Sequence, residues 1–177
     1  MKNTFSLPVR WFSHLLLIFI LVSPFIFTAY IVSGNSMEPT LLHGDVLVVD
    51  RFSLKLFPPM RNQLIIFRNP HQKEITDIKR VIGLPGETVE ITINSLIITY
   101  ADGTNETFPG NTFFGGGVRG LNGLLFKMKL GKEDYFVLGD NREASRDSRF
   151  FGAVQPSDFI GRPVTELFPL SSFKLFP

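Results

Sequence analysis

Ser36 sits in the turn-like stretch Ser33-Gly34-Asn35-Ser36-Met37-Glu38-Pro39, and a serine hydroxyl is a useful nucleophile only when a base within hydrogen-bond reach takes its proton. The chain offers few bases. His14 lies at the edge of an apolar run, His71 stands beside Pro70, and His43 is close to Ser36 along the chain, so each reads as a surface or interfacial histidine. No two of them have metal-ligand spacing, and with no cysteine there is no thiolate, so a zinc site is not expected. Glu38 and Asp45 are weak bases unless burial shifts them. Lys79 remains. Its neighbours Ile78, Val81 and Ile82 would lay its stem against apolar surface, and burial disfavours the charged form, so the amine could accept a proton. A Ser36-Lys79 dyad is therefore chemically possible. The commoner outcome for a strand lysine followed by an arginine is a solvated face, and spacing alone leaves both readings open.

The elements that must position these residues are mostly strands. Val46-Leu47-Val48-Val49 follows the turn signal Gly44-Asp45, and Leu64-Ile65-Ile66-Phe67 precedes Asn69-Pro70. Ile78 to Ile82 ends at Gly83-Leu84-Pro85-Gly86. Thr88 to Tyr100 holds two alternating runs around Asn94-Ser95 and reads as a hairpin. Ala101 to Gly123 is rich in Gly, Asn and Thr and reads as a loop, with no role assigned to Phe113 to Gly123. Asp134 to Leu138 is a last strand. No stretch after residue 40 keeps a helical period, so a mainly β fold is expected: an antiparallel, barrel-like sheet domain.

Before it lies an apolar appendage. No Asp, Glu, Lys or Arg occurs from Trp11 to Met37, and Leu15 to Val32 is long enough to cross about 30 Å of hydrocarbon as a helix. Lys2 and Arg10 precede it, which places the N-terminus inside and the rest outside, with Trp11 and Tyr30 at the two interfaces. The expected organisation is a cytoplasmic segment at 1–10, a transmembrane anchor at 11–32 and an extracytoplasmic catalytic β domain at 33–177. A cleaved signal peptide fits less well, because the run exceeds a usual apolar core and lacks a small-x-small site that would spare Ser36. The 177 residues carry a formal charge of +2 with no block of like charges, which argues against nucleic acid as a partner. The tripeptide Asn105-Glu106-Thr107 matches a glycosylation pattern, and nothing is assigned to it.

Three segments, S-G-N-S-M-E-P-T-L-x-x-G-D, I-K-R-V-I-G-L-P-G-E and G-D-N-R-E-A-S-R-D-S-R-F-F-G, together resemble the boxes of type I signal peptidases, the membrane-bound proteases that remove signal peptides from exported proteins. The resemblance implies a membrane-bound serine endopeptidase on a β fold, working through an acyl-enzyme without metal or organic cofactor. By the same resemblance Ser36 is the nucleophile, Lys79 the general base, and Ser145 the hydroxyl that orients the lysine. Asp147 and Arg149 match a structural ion pair, and Asp140, Asn141 and Arg142 belong to the same supporting loop. Met37, Val32 and Ile78 match residues lining a pocket for small side chains at positions -1 and -3 of the signal peptide. The implied partners are preprotein signal peptides and the lipid bilayer. The implied place is the bacterial cytoplasmic membrane, single-pass, with the catalytic domain on the outer face.

Three positions depart from the family pattern or bear on it. Gly34, two residues before the serine, offers no side-chain hydroxyl, so the oxyanion would rest on main-chain N–H groups. Arg61-Asn62-Gln63 replaces the usual Arg-Gly-Asp and is expected to alter a turn only. Asp77 shares a strand face with Lys79 and would oppose a neutral amine if it pointed there, so it is expected to face solvent. Self-cleaving repressors also couple a serine to a lysine but carry a DNA-binding domain and no span. An inactive, membrane-tethered β module that binds export substrates is the alternative of a different class.

Overall fold

The computed structural model describes residues 6–92, 95–109, 124–169 and 173–176. Helix α1 covers Ser6–Ile26 and strand β1 Phe27–Ile31. Strands β2 (Val46–Asp50), β3 (Leu64–Arg68), β4 (Thr76–Gly83), β5 (Thr88–Thr92) and β6 (Ser95–Thr99) follow. Then come β7 (Asn105–Pro109), β8 (Leu124–Lys129), β9 (Phe136–Leu138), the short helix α2 (Ser148–Phe151), β10 (Phe159–Phe168) and β11 (Lys174–Leu175).

The strands make two antiparallel sheets. One runs β1-β2-β10-β3-β4-β9 with β11 on β10, and the other runs β7-β6-β5-β8. Both are open paths among the described residues, in keeping with the expected mainly β, antiparallel class. Alternation explains β5 and β6: Val89, Ile91, Leu96 and Ile98 point inward, and the intervening positions stay half-exposed. They pack with Ile82, Phe136 and Leu138, joining the smaller sheet to the β4-β9 edge of the larger one. Leu64 to Phe67 is buried throughout, as a continuous apolar run should be. Each such side chain contributes about 1.5–3 kcal/mol by leaving water.

The apolar appendage does not stay helical to Val32. Helix α1 ends at Ile26, and Phe27-Thr28-Ala29-Tyr30-Ile31 pairs with β2, Ala29 opposite Val48. Threonine, isoleucine and the aromatics fit a pleated edge better than a helix. The carbonyl of Ile26 accepts the Arg51 N–H at 2.8 Å, which closes the helix end onto the sheet. Tyr30 sits in that edge strand and donates its hydroxyl to the Thr76 carbonyl at 3.2 Å, away from the interface role expected of it. Among the described residues no helix is long and apolar enough to cross a membrane.

Strands β7, β8, β10 and β11 were not visible in the pattern. In β10, Gly161 and Pro163 interrupt the apolar run, and the register against β2 shifts between Pro163 and Thr165 and between Glu166 and Phe168. Gly161 is needed there, because a Cβ would lie 2.4 Å from the Asp50 carbonyl oxygen. Asn62 takes φ 69°, the left-handed region that asparagine tolerates, so it can fill the turn position where glycine is usual. Phe113 to Gly123 lies outside the described residues.

Candidate functional site

The turn from Ser33 to Gly44 is closed at its base by the Val32 N–H on the Asp45 carbonyl and the Gly44 N–H on the Val32 carbonyl, both at 2.9 Å. Gly34 has φ +89°, and its N–H donates to His43 Nδ1 at 3.1 Å. His43 therefore shapes the turn, a local role hidden by its closeness in sequence. Underneath, Met37 and Leu41 are fully buried against Leu47, Val49, Leu64, Ile66 and Ile78, so the serine stands on a packed floor. Ser36 itself is half-buried.

Strand β4 brings Lys79 to the same place. Its side chain is 3% exposed, and Nζ lies 3.0 Å from Ser36 Oγ. Two further contacts complete its surroundings: Asp77 Oδ1 at 3.1 Å and the Ile78 carbonyl at 3.1 Å. An ammonium has three N–H donors, and here three acceptors stand around one nitrogen. A lysine that takes the serine proton must instead point a lone pair at Oγ, leaving two donors for the rest.

Asp77 is the main correction. It does not face solvent: Oδ1 meets Lys79, and Oδ2 accepts from Asn69 Nδ2 at 3.0 Å. Asn69, just beyond β3, is itself fixed because its Oδ1 accepts the His71 and Gln72 N–H groups. Asp77 thus sets a carboxylate directly beside the buried Lys79 nitrogen. Burial of the Tyr30 hydroxyl, helped by the charge of Asp77, pushes that phenol above its ordinary pKa.

The loop from Gly139 to Arg149 forms the opposite wall. Asp147 is fully buried and pairs with Arg149 through Nε at 2.8 Å and Nη2 at 2.9 Å. The same carboxylate accepts the Gly139 N–H at 3.1 Å, and Arg149 reaches the Arg142 carbonyl at 2.7 Å. Arg80 clamps Asp140 with two bonds at 2.8 and 2.6 Å, tying the loop to β4. The Asn141 N–H donates to the Ser36 carbonyl at 3.0 Å, tying it to the turn. Burial pushes the Arg142 guanidinium down to about 10, against the opposing pull of Asp140 and Asp147. The supporting residues expected from the sequence thus converge.

Ser145 and the pocket residues behave differently. Ser145 Oγ is buried and makes no hydrogen bond among the described residues, so the expected bond to Lys79 is absent and Asp77 occupies the lysine instead. Gly139, which sequence reasoning did not single out, explains how tightly this wall is built. A Cβ there would lie 2.3 Å from Ser145 Oγ and 2.5 Å from the Ser36 carbonyl oxygen. Val32, Met37 and Ile78 come together as members of the buried apolar cluster under the turn. A groove lined by Glu38, Pro39, Asp140, Asn141 and Arg142 opens beside the serine. No cluster of metal-ligating side chains occurs among the described residues.

The model of the family described as signal peptidase, peptidase S26, matches residues 8–168. Signal peptidase I P of Bacillus subtilis subsp. natto is 33% identical over 178 residues, covering 98% of this chain and 96% of that protein. Signal peptidase I V of Bacillus subtilis is 36% identical over 144 residues, covering 77% of this chain and 83% of its own. Signal peptidase IB of Staphylococcus aureus is 33% identical over 170 residues, covering 89% and 86%. A crystal structure of a signal peptidase I from Enterococcus faecalis aligns at 30% identity and a TM-score of 0.46, covering 60% of this chain and 97% of that one. With the match running from helix α1 to the end of β10, the chain belongs to the signal peptidase family, peptidase S26, and is a serine endopeptidase.

Proposed function

We propose that the protein removes N-terminal signal peptides from exported preproteins, with Ser36 as nucleophile and Lys79 as general base. The observation that carries this reading is the 3.0 Å contact between Lys79 Nζ and Ser36 Oγ with the lysine buried, a distance over which a proton passes directly. The unprotonated amine takes the Ser36 proton, and the alkoxide attacks the scissile carbonyl to give a tetrahedral oxyanion, which main-chain N–H groups of the Ser36 turn stabilise. The ammonium then protonates the leaving amine. The amine so regenerated draws a proton from water, whose attack on the acyl-enzyme frees the serine.

Small side chains at substrate positions -1 and -3 fit this floor. An extended strand sends alternate side chains to one face, and the floor beneath Ser36 is already filled by Val32, Met37 and Ile78, leaving shallow room. Helix α1 supports a membrane tether: Trp11, Phe12, Leu15, Ile18, Leu21 and Phe25 are all well exposed, an apolar surface too large for water. Its uncharged part, Trp11 to Ile26, spans only about 24 Å at 1.5 Å per residue, so the exposed Phe27 and Ile31 of β1 also belong to the lipid-facing surface. The test is cleavage of a preprotein by the full chain in detergent: Ser36→Ala and Lys79→Ala should each abolish it, and cleavage surviving either change rejects the dyad.

A further inference from the structure

The contact between Asp77 and Lys79 has no place in the dyad chemistry, yet it is built with care. The carboxylate is held from behind by Asn69, whose own oxygen is pinned by two backbone N–H groups, and it meets the lysine at 3.1 Å. Its side chain is 21% exposed while that of Lys79 is 3% exposed, so the carboxylate keeps some contact with solvent and the amine almost none. A flexible four-carbon stem would otherwise be free to choose among rotamers.

We propose that Asp77 is a positioning residue of this site: anchored by Asn69, its carboxylate aims the Lys79 amine at Ser36 and holds on that amine the proton that must leave before catalysis can start. This rests on the dyad reading above. With Asp77 in place, three acceptors surround the Lys79 nitrogen, enough for every donor of an ammonium: Ser36 Oγ, Asp77 and the Ile78 carbonyl. Loss of one proton turns the same geometry into a base, because the lone pair then falls along the Ser36 direction while two N–H groups keep Asp77 and Ile78.

The other titratable groups nearby are few. Strand β1 contributes Tyr30, which feels the charge of Asp77. The serine turn contributes His43, bonded to Gly34, and Glu38. From the end of β3 comes the neutral Asn69, and from the 139–149 loop the hydroxyl of Ser145, while Asp147 and Arg149 are paired with each other. Asp77 is thus the one carboxylate bonded to the amine among the described residues.

The test is the pH profile of kcat/KM for preprotein cleavage by the full chain in detergent. Asp77→Asn keeps the shape and removes the charge, so the acid limb should move down by at least about one pH unit, tenfold in rate on that limb, with kcat on the alkaline plateau within about threefold. Asp77→Leu, which also removes the anchor, should lower kcat at every pH by about tenfold or more with little change in KM. Asp77→Glu should return the limb towards that of the parent. His43→Gln, run beside them, should leave the limb in place. Thermal unfolding of each variant separates loss of fold from loss of alignment, and Asp77→Asn, nearly isosteric, is the variant that decides. An acid limb unmoved within about 0.3 units in folded Asp77→Asn overturns the proposal, even if Ser36→Ala and Lys79→Ala are inactive. Activity persisting in Ser36→Ala or Lys79→Ala instead overturns the dyad on which it rests.

Discussion

Gly139 is the residue where a single methyl group should cost most. Its Cα faces Ser145 Oγ and the Ser36 carbonyl at once, and neither can retreat: one is buried and the other is bonded to Asn141. Gly139→Ala should therefore leave a folded protein whose kcat falls by about a hundredfold or more, since displacements near 1 Å at a reacting centre have effects of that size. Steady-state kinetics with circular dichroism on the same sample checks it; near-parental kcat would show that the wall yields. The sequence showed Ser36 and Lys79 because their boxes are continuous strings. It showed Asp77 on the face of Lys79 as well, since strand alternation puts i and i+2 together. What it could not show was Asn69, eight residues before Asp77 across the turn, reaching from the end of β3 to hold the carboxylate inward.

At the scale of elements, the 139–149 loop is held by a buried ion pair whose partners also satisfy main-chain groups. Removing the guanidinium would strand the fully buried Asp147 carboxylate, a change that typically costs about 3–5 kcal/mol. Arg149→Met should therefore lower the denaturation midpoint strongly and take activity with it; a shift under about 1 kcal/mol would mean that the loop is held elsewhere. A smaller effect is expected at Asp50, whose Oδ1 accepts the Phe52 and Ser53 N–H groups at 2.8 and 3.0 Å at the start of a 3-10 turn. Asp50→Ala should cost about 1 kcal/mol, as lost caps do, read by urea unfolding. Strands β2 to β6 were legible in the residues, β5 and β6 from alternation and β2 to β4 from short apolar runs bounded by turn signals. Strand β10 was not, because Gly161 and Pro163 break its pattern, and its place between β2 and β3 depends on residues a hundred positions away in the chain. The end of α1 was misplaced for a related reason: an uninterrupted apolar run carries no mark of where helix gives way to strand, and β2 supplied the answer by pairing with Phe27–Ile31.

At the scale of the whole molecule, the described residues form a pair of sheets, with the serine turn and Lys79 on the larger one and an exposed apolar helix leading directly into its edge strand. Only a few residues separate Ile31 from Ser36, so the exposed apolar surface of α1 and β1 leads directly to the serine turn. On the proposed tether, the protein mixed with liposomes should float with them and stay bound at high salt, as an apolar attachment would and an electrostatic one would not. Recovery in the soluble fraction would argue against the tether. The central claim is tested most directly by preprotein cleavage at alkaline pH with parent, Ser36→Ala and Lys79→Ala side by side. Each variant should fall at least about 1,000-fold in kcat while keeping its thermal midpoint, as members of a catalytic unit do. Cleavage by folded Lys79→Ala at a rate near the parent's would contradict the account.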